Sequence, residues 1–177
     1  MKHIIPIIIL SFVLLSCSKE EAETDTTMST PFVSDGTYKL TAAIQKVYYS
    51  NGTLYGSYTY SISHDSSVTP GYLALDMEWK GSGVYRITSK GKATLSVTGE
   101  DDVTIDCTSN AIDELTFDTD GNMTKETVIQ TGCGGSSTSL SDVSDKFTVI
   151  SGGFQQYSVL KDSSSNQYRI FFNFQKQ

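Results

Sequence analysis

The sequence predicts an all-β domain, and two observations lead to that fold class. Residues 37–175 consist of short segments rich in Tyr, Val, Thr, Ile and Phe, separated by Gly, Asn, Asp and Ser, which is the composition of strands and turns. They contain no sustained apolar spacing of three and four residues, which an amphipathic helix would require. Because the turns are local, we expect an antiparallel meander of roughly 8–10 strands closed into a barrel, with a two-sheet β-sandwich as the alternative.

The first half of this domain alternates apolar and polar residues, as half-buried strands do. The segment TYKLTAAIQKVYYS is expected to be the first strand, and Asn51-Gly52 supplies the positive φ angles of a tight hairpin turn. The return strand TLYGSYTYSIS leads through a turn-rich loop to YLALDMEWK. The inward residues expected on these three strands are Tyr38, Leu40, Ala42 and Ile44, then Leu54, Tyr58, Tyr60 and Ile62, then Leu73, Leu75, Met77 and Trp79.

The second half continues the same pattern in shorter pieces. Strands are expected near residues 84–89, 92–98 and 103–107, and AIDELTFDTDGNMTKETVIQ predicts two strands joined by a turn at Asp120-Gly121. Residues 146–150 and 154–160 and the segment QYRIFFNFQ complete the series. In the last strand, Tyr168, Ile170, Phe172 and Phe174 are expected to face inward.

The N-terminus is a targeting segment. Lys2 precedes an apolar run over residues 4–15, which is shorter than the ~20 residues that a spanning helix needs but suits a signal peptide. The run ends in Leu14, Leu15, Ser16 and Cys17. We therefore expect a signal peptide over residues 1–16, a polar tether poor in large apolar residues over 17–34, and a single all-β domain over 35–177.

The residues around Cys17 resemble the lipobox of bacterial lipoproteins, which implies that the Cys17 thiol carries lipid and anchors the protein to a membrane. Two acyl chains give stable anchoring. Lys19, Glu20 and Glu21 also resemble the lipoprotein export signal of Bacteroidota, which implies an outer-membrane protein exposed at the cell surface. The alternatives are an ordinary signal peptide with an incidental cysteine and a tether that is merely solvated.

The start of the domain resembles lipocalin-like domains. In DGTYKLTA, Gly36 and Tyr38 occupy the positions of the family's GxW pattern, with Tyr in place of Trp. The family also has a late arginine that packs over this ring. Arg169 is the candidate here, although alternation directs it away from Phe172 and Phe174. The resemblance implies a calycin-like barrel with one end open to a small apolar ligand or a glycan.

Charge limits the classes of partner. The chain has 13 Lys and Arg against 20 Asp and Glu, a net charge of −7, and loss of Lys2 with the signal peptide leaves −8. Without a basic cluster in the sequence, nucleic acid is excluded as a partner because phosphates cannot be neutralised. The acidic balance also argues against electrostatic adhesion to a membrane, so the lipid on Cys17 is the expected anchor.

Cys107 and Cys133 are expected to form a disulfide, since an exported chain folds in an oxidising compartment. Closing a loop of this size stabilises the fold by roughly 3.5 kcal/mol in the chain-entropy account. Two separate thiols are the alternative, because Cys107 follows the apolar face of its strand whereas Cys133 lies in a glycine-rich stretch.

Residues for chemistry are scarce, so no catalytic residue, metal site or cofactor is predicted. His64 is the one histidine of the mature chain, and beside Asp65 and Ser66 it is expected to be a solvated loop residue. Residues 118–122 lack the spacing of a calcium loop and are expected to form a turn. Glu100, Asp101 and Asp102 are expected to form an exposed acidic turn, although they leave a glycan hydrolase as a weaker alternative.

Aromatic residues are the remaining functional signal. Tyrosines cluster around the hairpin at Asn51-Gly52, and such rings can stack on sugars or line a barrel mouth. The expected ligand-binding residues are Tyr48, Tyr49, Tyr55, Tyr58, Tyr60 and Trp79. The predicted function is therefore non-enzymatic binding of a small apolar ligand or a glycan at the cell surface. A structural, adhesion or complex-forming lipoprotein with an envelope protein partner is the alternative.

Overall fold

The computed structural model describes residues 28–134, 141–161 and 164–177, with the backbone alone for 141–145. This part of the chain is all-β and forms one antiparallel sheet of nine strands. The strands are β1 (Gly36–Tyr48), β2 (Leu54–His64), β3 (Ala74–Gly81), β4 (Val84–Ser96), β5 (Val103–Phe117), β6 (Met123–Gln130), β7 (Ser141–Ile150), β8 (Gly153–Lys161) and β9 (Gln167–Lys176).

Most strands that follow each other in the chain are neighbours in the sheet, except β2 with β3 and β6 with β7. The order is β6-β5-β4-β2-β1-β9-β8-β7, and β3 pairs with both β1 and β4. Because β2 pairs with the second half of β1 and β3 with the first half, β2 and β3 lie end to end between β1 and β4. The four strands thus form a partial ring of pairings.

The loop between β2 and β3 is held against β4 by a close backbone approach. Gly91, at the bulge of β4, has a φ of +83°. A Cβ atom there would lie 1.9 Å from the carbonyl oxygen of Tyr72. Only glycine combines this positive φ with the contact.

The two edge strands approach each other at one end. Asn122, just before β6, forms an antiparallel bridge with Lys146 of β7. The Phe147 amide donates a 2.8 Å hydrogen bond to the carbonyl of Gly121. The first and last strands of the sheet order are therefore joined locally.

The core fills the inner face of the sheet with aromatic and aliphatic side chains. Phe154 stacks on Phe147 and Phe174, with ring centroids 5.3 and 5.2 Å apart. The four inward residues expected on the last strand are buried, so alternation in β9 is confirmed.

The folded part begins earlier than the expected boundary at residue 35. Met28 and Val33 are buried, and Phe32 packs against Tyr85 at a centroid distance of 4.8 Å. The Tyr85 hydroxyl donates to the Val33 carbonyl at 3.1 Å. Residues 28–33 therefore cover one end of the core, and the expected tether over 17–27 lies outside the described residues.

The predicted inward face of β1 is wrong beyond Leu40. The register against β9 shifts between Leu40 and Ala42, which places one extra residue, Thr41, in β1. A bulge of this kind exchanges the two faces of a strand. Tyr38 and Leu40 are buried as expected, whereas Ala42 and Ile44 face outward and the inward residues are Ala43, Gln45 and Val47.

Two further strand predictions are corrected. The expected strands at 84–89 and 92–98 form one strand, β4, which ends at Ser96, and residues 103–107 continue through 111–117 as β5. A bulge near Gly91 and a positive φ at Asn110 let each strand bend without ending. The turn at Asp120-Gly121 between β5 and β6 is confirmed.

Cys107 and Cys133 form a disulfide with an S–S distance of 2.06 Å. The bond joins the middle of β5 to the segment after β6, beside the antiparallel bridge between Asp106 and Gly134. The expected pairing is therefore present.

Candidate functional site

The β1–β2 hairpin carries an exposed aromatic pair. Tyr49 and Tyr55 are 47% and 43% exposed, and their rings form an edge contact at 5.2 Å. Leu54 beside them is 51% exposed, unlike the inward position expected for it. β2 pairs with β4 only from Ser61 onward, so the hairpin extends beyond β4. We call Tyr49, Leu54 and Tyr55 the tyrosine tip.

Two more of the expected residues, Tyr58 and Tyr60, lie on the inner side of β2, where both pack against the core. The Tyr60 hydroxyl donates a hydrogen bond to Oε1 of the buried Gln45. Burial, with a smaller effect of the Glu100 charge, raises the pKa of Tyr60 to about 12. Tyr60 is therefore a neutral hydrogen-bond donor beneath the tip.

The other two expected residues point elsewhere. Tyr48 lies on the outer face, where the Arg169 guanidinium carbon is 4.2 Å from its ring centroid. Trp79 packs on Tyr85 at 4.8 Å, and its backbone amide is bonded to Asp35. β3 pairs with the start of β1, so Trp79 lies about 40 Å along β1 from Tyr48 at the ~3.3 Å rise per strand residue. The six predicted residues do not form one site.

Arg169 points outward, as alternation predicts, and covers Tyr48 rather than Tyr38. The cation above Tyr38 is Lys176, whose Nζ lies 6.0 Å from the ring centroid. Lys176 also donates to Ser34 Oγ at 2.7 Å and to the Asp35 carbonyl at 2.9 Å. Lys176 is the last residue of β9. A family pattern that requires arginine does not identify this lysine.

Two small cavities lie in the interior formed by the described residues. One, of about 20 Å³, is lined by Ser89, the Cys107–Cys133 disulfide and apolar side chains, and the other, of about 10 Å³, lies beside Gln45 and Tyr60. A cavity of roughly 10–15 Å³ holds one water molecule. Within the described part of the chain, Ser89 Oγ and Gln45 Nε2 have no hydrogen-bond partner. Each cavity therefore suits a water molecule rather than a ligand.

Asp113 is the buried carboxylic acid of the core. It is 1% exposed, and Oδ2 has no hydrogen-bond partner among the described residues. Burial raises its pKa to about 6, because the charged form loses its hydration. The sequence signal for this residue was its place in the alternating segment AIDELTF, where it falls on the apolar face.

His64 is not a solvated loop residue. It ends β2, and Nδ1 accepts a 3.2 Å hydrogen bond from the Leu73 amide while the Leu40 carbonyl lies 3.1 Å from Nε2. Burial and the nearby Lys39 charge lower its pKa, which favours the neutral ring that this bonding requires. His64 thus joins the β2–β3 loop to β1.

The acidic segments are turns. Asp118 Oδ1 accepts bonds from the Asp120 and Asn122 amides, both at 2.9 Å, which confirms the turn over residues 118–122. Asp101 and Asp102 are exposed between β4 and β5. No group of three or more His, Cys, Asp or Glu able to hold a metal occurs in residues 28–134, 141–161 and 164–177.

Comparison with protein-family models, with curated proteins and with solved structures finds no match. The part of the chain that the structure describes contains no helix long and apolar enough to cross a membrane. Cys17, Lys19, Glu20 and Glu21 lie outside the described residues. The proposals for this protein therefore rest on its own sequence and geometry.

Proposed function

We propose that this protein is a lipid-anchored β-barrel lipoprotein of the outer membrane that binds a glycan at the cell surface without chemical turnover. The observation that carries the proposal is the exposed Tyr49 and Tyr55 pair on a hairpin that extends beyond its neighbouring strand. Tyrosine presents a rigid apolar ring and a hydroxyl, which suit the apolar face and polar edge of a sugar.

The strand order supports a lipocalin-like barrel over a sandwich. Pairing runs without interruption from β6 through β1 and β9 to β7, and the bridge at Asn122 and Lys146 joins the two edges. A sandwich would divide these strands between two sheets. If β6 and β7 paired along their length, the sheet would close into a barrel with eight strand positions, one of which β2 and β3 share.

The direction of the N-terminus supports display of the tyrosine tip. Met28 and Phe32 pack at the end of the core that holds Tyr85 and Phe117, which is the end away from the tip. The chain from Cys17 to Met28 reaches at most about 40 Å. A lipid on Cys17 would therefore keep the domain within about 40 Å of the membrane, with the chain entering at the end away from the tip.

The proposed site is on the outside of the domain because each of the two cavities found among the described residues suits about one water molecule. A small apolar ligand, the other expected occupant, would have to move Tyr60 away from Gln45 to enlarge a cavity of about 10 Å³. A sugar at the tip requires no such movement.

Titration of the soluble domain with neutral oligosaccharides, followed by calorimetry, tests the proposal. Tyr49→Ala and Tyr55→Ala should each weaken binding by about tenfold, which corresponds to the ~1.4 kcal/mol expected for loss of one stacked ring. Ile129→Ala, which shortens a side chain that is 50% exposed on β6, is the matched control and should bind normally.

Loss of binding in Ile129→Ala as well as in the tyrosine variants would contradict the proposal, and so would a broad neutral-glycan panel with no binder. Release of reducing sugar would show that the protein hydrolyses the glycan and does not merely bind it. If Tyr49→Ala and Tyr55→Ala instead abolished capture of one envelope protein, the complex-forming alternative would take its place.

A further inference from the structure

The fold brings together, on adjacent strands, basic residues that are scattered along the sequence. Strands β1, β2, β8 and β9 carry five basic residues and no Asp or Glu. These strands are consecutive in the sheet, in the order β2-β1-β9-β8. The basic residues are Lys39, Lys46, Lys161, Arg169 and Lys176. These four strands therefore contribute only positive charge to a chain whose net charge is −7.

On the outer face of this side, cations alternate with aromatic rings in register. Phe171 of β9 pairs with Tyr157 of β8, and Arg169 pairs with Lys46 of β1. The Tyr157 and Phe171 ring centroids are 4.9 Å apart. Lys46 Nζ lies 5.4 Å from the Phe171 centroid, and Arg169 lies over Tyr48. We call Lys46, Tyr48, Tyr157, Arg169 and Phe171 the cationic flank.

Among the described side chains, no carboxylate forms an ion pair with Lys46 or Arg169. The ion pairs found among the described residues join side chains of β3, β4 and β5, as in Arg86 with Glu114 and Lys92 with Asp106. Lys46 and Arg169 contact rings instead, and a ring leaves the positive charge available to an anion. The positive charges on these four strands also attract polyanions over a distance of about 8–10 Å at physiological salt.

We propose that the cationic flank binds an acidic polysaccharide, with Lys46 and Arg169 pairing its carboxylates and with Phe171 and Tyr157 packing against its sugar rings. Charge complementarity selects the anion, and the adjacent rings select a sugar chain over a purely ionic partner. The flank lies on the wall of the sheet and excludes Tyr49 and Tyr55, so the inference is independent of the function proposed for the tyrosine tip.

The test measures binding of polygalacturonate to the soluble domain at low and physiological salt, with dextran, polyglutamate and anionic lipid vesicles as comparison probes. Lys46→Gln/Arg169→Gln should reduce affinity for polygalacturonate at least tenfold. Lys80→Gln/Lys125→Gln, which removes the same charge from β3 and β6, is the matched control and should change it less than twofold. Phe171→Leu should weaken binding while keeping the salt dependence.

Thermal unfolding of each variant shows whether a loss of binding reflects a loss of folding. If the charge variants prove unstable, Phe171→Leu, which retains an apolar side chain, provides the test. The proposal is overturned if the two double variants lose affinity equally, if polygalacturonate does not bind, or if dextran binds as well. Equal or tighter binding of polyglutamate or of vesicles would overturn it in favour of an acidic protein or a membrane surface. Binding should persist in Tyr49→Ala/Tyr55→Ala.

Discussion

Single carboxylates, one in the core and one near the surface, set the pH response of the fold. Asp113 is buried with a pKa raised to about 6, whereas hydrogen bonds from Thr108 and contact with Lys92 lower the pKa of Asp106 to about 2. A raised pKa means that stability is fully present below the ordinary value and is lost as the pH rises through 6. A lowered pKa means that stability is present above the ordinary value and is lost as the pH falls toward 2.

Asp113→Asn should therefore stabilise the protein at neutral pH. An amide has nearly the shape of the protonated acid and removes the cost of a buried charge, so the free energy of unfolding at pH 8 should rise by about 1–2 kcal/mol. Near pH 4 the two proteins should be equally stable. Denaturant unfolding from pH 4 to pH 8 measures the difference.

The Asp106→Asn variant is the control for this measurement, because it should lose stability at neutral pH instead of gaining it. A difference between Asp113→Asn and the parent that stays constant from pH 4 to pH 8 would show that charge at residue 113 is not the cause.

At the scale of elements, bulges and loops decide how the strands combine. The interruption between β2 and β3 exists because residues 65–73 leave the sheet and return, and it is held by His64 and by the approach of Tyr72 to Gly91. The bulge in β4 at Gly91 lets one strand pair with β3 on one side of the bulge and with β2 on the other. Gly91 therefore connects two halves of the partial ring.

Gly91→Ala should destabilise the domain by about 2 kcal/mol or more, because a positive φ is strained for alanine and the Cβ atom would overlap the Tyr72 carbonyl. The control is Gly99→Ala, at a φ of +91° with no atom within 4 Å of the added Cβ. It should cost only the backbone strain of about 1–2 kcal/mol. Thermal unfolding compares the two, and equal losses would show that the contact with Tyr72 contributes nothing.

For the whole molecule, the position of the N-terminal segment relates the proposed anchor to the proposed binding surfaces. Met28 and Val33 are buried at the end of the core away from the tyrosine tip. An anchor at Cys17 would therefore leave both the tip and the cationic flank accessible from outside, since the flank lies along the wall.

Cys17→Ala should give an uncut or soluble product without acyl mass, because no other residue at the end of the apolar run can form the thioether. Ser18→Ala keeps the thiol and is the control. Mass spectrometry of the membrane fraction makes the measurement. Parent protein without acyl mass would end the lipoprotein proposal.

Surface display is tested on intact cells with an external protease, which should digest the parent protein. If the protease digests the domain only after lysis, the interpretation of Lys19, Glu20 and Glu21 as an export signal is wrong, while the lipid anchor can still hold.

The sequence by itself determined the fold class and several details that depend on local chemistry. Alternation predicted the buried face of β9, and glycine and aspartate marked the turn after β5, because strand faces and turns depend on neighbouring residues. The expected export to an oxidising compartment suggested the pairing of Cys107 with Cys133. The sequence did not reveal the bulge at Thr41, since an extra residue changes the face of every later side chain without changing composition.

Only the tertiary structure decided which residues share a surface. The hairpin predicted at Asn51-Gly52 brings Tyr49 and Tyr55 together, but only strand pairing shows that Trp79 lies at the other end of β1. The cationic flank arises because the end of the chain returns as β9 to pair with β1, which brings Arg169 beside Lys46 across 123 residues of sequence. Pairing of distant strands depends on closure of the whole sheet, and no local pattern reports it.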